Sequence, residues 1–98
     1  MSPYICRKGI VLTEIHGVYL LVSDEDGRKS CAYLREINEL GAFIWRLLEK
    51  NLSEEEILTC IREAYDLPEE YDLLRDVRAF MKDLEDNNYL IRVSADAD

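Results

Sequence analysis

The sequence has little of what enzymes are built from. His16 is its one histidine, so no Ser-His-Asp or Cys-His arrangement can form without that single side chain. His16 sits between Ile15 and Gly17, where a tight turn is expected, and reads as an exposed turn residue that tolerates an unusual backbone angle. Three cysteines, Cys6, Cys31 and Cys60, stand far apart with no CxxC spacing. An odd count without metal-like spacing argues for a reducing compartment and idle thiols. Neither they nor the one histidine make the three or four convergent ligands of a metal site. With four glycines and two prolines there is no Gly-rich phosphate loop and no low-complexity segment. The longest wholly apolar run, Val18 to Val22, is far too short to cross a bilayer. The opening Met-Ser-Pro-Tyr lacks the apolar stretch of a signal peptide. The chain reads as a cytoplasmic protein without cofactor or metal.

Positive charge is also scarce. Twelve Lys and Arg face 21 Asp and Glu, for a net charge of −9. Residues 1–36 hold five bases and five acids, so that third is neutral, and the whole excess falls on residues 37–98. Such a surface repels a phosphate backbone and an anionic membrane alike. Neither nucleic acid nor membrane is an expected partner.

What is present is a foldable composition: 48% hydrophobic and 34% charged residues in a chain of 98. A chain this short supports one core, expected over residues 1–93, with 94–98 as a disordered tail. The first part reads as strands. Ile10–Ile15 and Val18–Val22 are rich in β-branched residues and separated by His16 and Gly17 alone, the spacing of a two-residue hairpin. Asp26-Gly27 marks a second turn, which predicts a third strand over Lys29–Leu34. After Glu36 the period turns helical. Leu40, Phe43, Ile44, Leu47 and Leu48 make a stripe behind Asn38 as N-cap. Ser53-Glu54-Glu55-Glu56 is a capping box that opens a second helix with Ile57, Leu58, Ile61 and Tyr65 on its apolar face. Pro68-Glu69-Glu70 predicts the start of a third helix, which runs to about Asp86 on Leu73, Val77, Phe80 and Leu84. Asn87-Asn88 supplies a left-handed stop, and Tyr89–Val93 a short extended return. The predicted fold is α+β and resembles a winged helix-turn-helix: a three-stranded antiparallel sheet packed on a three-helix bundle, with a short C-terminal extended segment.

The acidic clusters Asp24-Glu25-Asp26, Glu54–Glu56 and Glu69-Glu70 each fall in a turn or a first helical turn, where negative charge is favoured. Cys31 reads as a packing residue. What remains is a surface. The third strand of a meander is an edge, with unpaired backbone groups that can capture an extended peptide. The third helix offers a wall, because Leu74, Arg78 and Met81 lie on a line beside its main stripe. From periodicity alone the simpler reading is that Leu74 and Met81 widen the core face.

The stretch Ile37-Asn38-Glu39-Leu40-Gly41-Ala42-Phe43-Ile44-Trp45-Arg46-Leu47-Leu48 resembles the "LNetgaxIWxLL" helix of the PqqD-like family, the RiPP precursor peptide recognition elements. The similarity continues in register through Ser53–Ile57 and Ala64–Leu67. Asp76-Val77-Arg78-Ala79-Phe80-Met81 with Leu84 is similar to the family's "DVxxFLxxL", and Gly9–Val22 to its opening hairpin. Asn87-Asn88 replaces the family's glycine before the final apolar pair, and Lys29–Leu34 matches only loosely. The resemblance spans residues 5–92. It implies a non-catalytic peptide chaperone that takes the leader of a ribosomally made precursor peptide as an added strand and presents it to a modifying enzyme, often a radical SAM protein. By position it implies a groove between Lys29, Ser30, Cys31, Ala32 and Tyr33 on the third strand and Leu74, Arg78 and Met81 on the third helix. Leu74 and Met81 would then take apolar leader residues, and Arg78 or Lys29 an acid. On that reading Met81→Asp abolishes binding and leaves the fold intact.

Two other readings stand beside it. A winged-helix transcription regulator would need a basic recognition helix, yet residues 69–86 carry seven acids and three bases. A structural subunit could use the same edge to pair with itself, so the expected state is a monomer or a weak homodimer.

Overall fold

A computed structural model describes residues 4–29 and 32–93. The order is β1 (Tyr4–Cys6), β2 (Ile10–Ile15), β3 (Val18–Ser23), a 3-10 turn (Gly27–Lys29), β4 (Leu34–Ile37), α1 (Glu39–Glu49), α2 (Glu54–Ala64), α3 (Leu73–Asp86) and β5 (Leu90–Arg92). The expected tail at 94–98 lies outside the described residues.

The hairpin forms where the sequence places it. His16 and Gly17 have φ of 50° and 80°, the two positive angles of a turn whose twist matches the strands it joins. Ile10 then pairs with Ser23 and Ile15 with Val18. The third strand is a correction. It is Leu34–Ile37, paired from Val22↔Leu34 to Tyr19↔Ile37, and it shares only Leu34 with the predicted Lys29–Leu34. The reason lies in the turn. Asp24 accepts the Gly27 N–H on its side chain at 2.9 Å and the Arg28 N–H on its carbonyl at 2.9 Å. That winds 27–29 into a 3-10 turn and delays pairing.

The helices follow their caps. Asn38 Oδ1 accepts the Gly41 N–H at 2.7 Å, and Ser53 and Glu56 close the capping box in both directions. The third helix begins later than predicted. Pro68 and the acids after it form a turn, with the Tyr71 N–H donating to the Pro68 carbonyl at 3.1 Å. Asp72 is the N-cap, accepting the Arg75 N–H at 3.2 Å. Asn88, at φ 68°, ends the helix in the left-handed conformation.

The α+β class is as expected, and the likeness to a winged helix is not confirmed. Strand β5 joins β1 in a separate two-stranded antiparallel sheet, while β2-β3-β4 form the meander. Tyr4↔Arg92 and Cys6↔Leu90 thus tie the two ends of the chain together, a long-range pairing that local patterning does not announce. The core gathers Leu21 and Ile37 from the meander, Ile44, Trp45 and Leu48 from α1, Ile57 and Ile61 from α2, and Leu73, Val77, Met81 and Leu84 from α3. Each such side chain contributes about 1.5–3 kcal/mol by leaving water.

Candidate functional site

Strand β4 is the outer strand of the meander, and its orientation follows from one bond. The Ser23 N–H donates to the Tyr33 carbonyl at 2.8 Å, so residue 33 points its backbone toward β3. Alternation along an antiparallel strand then turns Arg35 and Ile37 toward β3 and aims the N–H and C=O of Leu34 and Glu36 outward. The segment entering β4 is anchored from beneath, where the Ala32 carbonyl accepts from Ser23 Oγ at 2.7 Å and from the Tyr89 hydroxyl at 3.2 Å.

The side chains of Arg35 and Ile37 point to the inner face. Ile37 is buried in the core. Arg35 lies 5.9 Å from the Tyr89 ring centroid and pairs with Asp83 of α3, bridging strand and helix. Asp76, Phe80 and Asp83 stand at i, i+4 and i+7, one line along α3, so this line is the flank turned to β4. Where β4 runs into α1, a cavity of about 290 Å³ opens between α1 and α3, lined by Leu40, Gly41, Ile44, Tyr71, Asp76 and Phe80 among others. A Cβ on Gly41 would come within 2.9 Å of two Phe80 ring atoms, so glycine is what lets that ring lie against α1. The Tyr71 hydroxyl donates to Asp76 at the rim. A free edge, an apolar floor and polar groups at the rim make a groove suited to an extended peptide.

The residues singled out from sequence are placed differently. Lys29 ends the 3-10 turn and pairs with Asp26 at 3.5 Å. Ser30 and Cys31 lie outside the described residues. Ala32 and Tyr33 precede β4, with the Arg28 guanidinium 3.9 Å from the Tyr33 ring centroid. On α3, Arg78 makes two 2.9 Å bonds to the Glu54 carboxylate of α2. These bonds hold Glu54 below the ordinary carboxylate range. Met81 is 1% exposed and belongs to the core, because α3 packs that side against the rest of the molecule. Half-buried Leu74 lies on the same side by helical spacing. With Tyr4, Lys82 and Arg92, Arg78 and Met81 line a separate cavity of about 360 Å³. There Arg92 bonds to Glu85 at 3.0 Å and to the Tyr4 hydroxyl at 2.7 Å. Arg78 and Met81 therefore line a different cavity from the one between α1 and α3.

The groove residues had one signal in the sequence: Gly41, the one glycine inside a helical stripe, marks a close approach. Nothing local marked Arg35 or Asp83, which lie 48 positions apart. Elsewhere, burial and Glu49 push the Cys6 thiol up to about 12, so at neutral pH it stays protonated and unreactive. Among the described residues no group of three or more His, Cys, Asp or Glu is placed to hold a metal ion. No described helix is long and apolar enough to cross a membrane.

No protein among those of curated function matches the sequence. Two solved structures share the fold. One, TbiB1 in complex with the TbiA(beta) leader peptide, is 24% identical with a TM-score of 0.69, over 96% of this chain and 99% of the other. Another, a lasso peptide synthetase B1 complexed with the leader peptide, is 18% identical with a TM-score of 0.72, over 92% of this chain and 99% of the other. The family model described as coenzyme PQQ synthesis protein D (PqqD) matches residues 31–90, a stretch that runs from the approach to β4 through α3 to the start of β5, and by that match the chain belongs to the PqqD family.

Proposed function

We propose that the protein is a non-catalytic peptide-binding module. It takes the leader of a ribosomally made precursor peptide as a strand on the outer edge of β4 and presents it to a modifying enzyme. The observation that carries this reading is that β4 is an edge strand, bridged to α3 by Arg35 and Asp83 and leading through Asn38 into the wall of the cavity between α1 and α3. Membership of the PqqD family and the likeness of the fold to two leader-bound proteins support it. The backbone groups of Leu34 and Glu36 would supply main-chain hydrogen bonds, which read no sequence. The cavity floored by Leu40, Ile44 and Phe80 would take one large leader side chain and so set register. Ordering a flexible leader costs free energy, so affinity in the micromolar to sub-micromolar range is expected, about −8 to −10 kcal/mol. The cytoplasm, where a precursor peptide is made, is the compartment this reading implies.

The test is an NMR amide-shift titration of the labelled protein with the leader of a precursor peptide encoded beside its gene. Shifts clustered on 34–44 and 76–83 are the expected result. Shifts confined to Tyr4, Leu74, Arg78 and Arg92 would put the peptide on the other flank of α3. An unperturbed spectrum at about millimolar leader, far above the expected dissociation constant, would overturn the reading.

A further inference from the structure

The meander has two unlike faces. Its inner face carries Ile10, Leu21 and Ile37 into the core. Its outer face is apolar as well, and no described element covers it. Register places Val11, Val22 and Leu34 in one cross-strand row, Thr13, Leu20 and Glu36 in the next, and Ile15 with Val18 at the hairpin end. Six of these eight side chains are aliphatic. Val11 is 59% exposed, Leu34 51%, Ile15 50% and Val18 39%. Single exposed aliphatics need no explanation, but six on adjoining positions of one sheet face form a contiguous patch of roughly 400 Å², in the range where a monomer's largest patch is often functional. The molecule is plate-shaped, 44 × 42 × 20 Å, so a broad face is available to a partner.

We propose that this face is covered by a second copy of the chain, sheet against sheet, in a two-fold dimer. Two observations choose that occupant. The first is charge. All of the −9 excess lies in residues 37–98, while residues 1–36, which supply all eight outer-face positions, are neutral. Two copies meeting through their helices would bring like fields together, whereas meeting through the meander keeps the acidic halves apart. The second is area. A patch of roughly 400 Å² is the apolar centre of an interface burying about 800 Å² per partner, the usual size for a specific complex. Packed sheets stand about 10 Å apart with aliphatic rows interdigitated, which Val, Ile and Leu rows satisfy. The outer edge of β4 and the groove along α3 stay open in this arrangement, so each copy of the dimer retains its own groove.

The experiment is sedimentation equilibrium of the full chain from about 10 μM to about 1 mM, beside a Val11→Lys/Leu34→Lys double variant. The wild type is expected to be dimeric by about 100 μM, and more so as salt screens the repulsion between the acidic halves. The double variant is expected to be folded by circular dichroism and monomeric throughout, at least about 30-fold weaker in association. It lowers the net charge from −9 to −7 (−9 + 2 = −7), so bulk electrostatics would favour its pairing, and loss of the dimer reports the apolar face. Val11→Thr/Leu34→Thr reads the same loss with β-propensity kept, should the lysines impair folding. A wild type monomeric at the highest concentration overturns the proposal, and so does a double variant that pairs like the wild type. Leader peptide added to the wild type is expected to leave the dimer intact. Dissociation by leader would mean that the copies pair through the β4 edge, which overturns the face and spares the groove.

Discussion

The two flanks of α3 differ in what they meet. On one, Met81 is sealed in the core, Arg78 is held by Glu54, and Arg92 by Glu85 and Tyr4. Its polar groups are already paired with one another. On the other, Asp76, Phe80 and Asp83 face a strand whose outer backbone groups have no strand partner among the described residues. Both flanks carry paired charges, since Asp76 accepts from the Tyr71 hydroxyl and Asp83 pairs with Arg35. What separates them is the neighbour: the first flank meets α2 and the β1–β5 sheet through Glu54, Tyr4 and Arg92, whereas the second lies beside an edge strand. A binding surface in a small domain is best sought where an open strand edge and a helix flank lie side by side.

The sharpest way to break this contrast is Met81→Asp. A carboxylate placed where the side chain is 1% exposed combines a cavity with an unpaired buried charge. The expected cost is at least about 3–5 kcal/mol, read as a lost or strongly shifted urea transition. A variant that stays as stable as the wild type and loses only leader affinity would reassign the groove to this flank. Next in size is Phe80→Ala on the open flank. It is expected to weaken leader binding about tenfold or more, near 1.4 kcal/mol by calorimetry, at a smaller cost in stability than Met81→Asp. Unchanged affinity there would remove the apolar floor from the proposed site.

The smallest effect belongs to the paired flank. Arg78→Gln is expected to leave leader affinity within about twofold, because that guanidinium is held by Glu54 of α2 and lines a different cavity from the proposed groove. Its signature is acid stability. Bonds from Arg78 lower the Glu54 carboxyl in the folded protein from its ordinary 4.5, so the pair stabilises the fold above pH 4.5 and this contribution fades as pH falls through the lowered value. Removing Arg78 takes that term away, so unfolding monitored below pH 4.5 should depend less steeply on pH in Arg78→Gln than in the wild type. The pair is solvent-exposed, so the difference is small. A large loss of leader binding in Arg78→Gln would again favour the sealed flank.

Much of the fold was legible because it is local. His16-Gly17, Asn38, Ser53 with Glu56, and Asn88 each specify their own turn or helix end within four residues, and the structure places a turn or cap at every one. The start of α3 was misread because Pro68 and its acids satisfy a helix-start pattern, while Asp72, four positions on, makes the capping bond. The third strand was misread because Asp26-Gly27 resembles a hairpin turn, and only the Asp24 bonds to Gly27 and Arg28 show the chain winding into a 3-10 turn. The proposed groove draws on both levels. An edge strand beside the third helix followed from the meander and from the family likeness, but the flank did not.

By itself, then, the sequence determined the element types, most of their ends, the acidity of the helical part and the family of the chain, since each rests on residues a few positions apart or on an ordered motif. The tertiary structure alone decided three things: that β5 closes on β1, that Arg35 reaches Asp83, and that Met81 is buried in the core while Phe80 lies against Gly41 in the cavity between α1 and α3. Helical periodicity defines the width of an apolar stripe on α3, but which of its two margins becomes core depends on what packs there. That is settled by contacts between residues far apart in the chain, which no local pattern encodes.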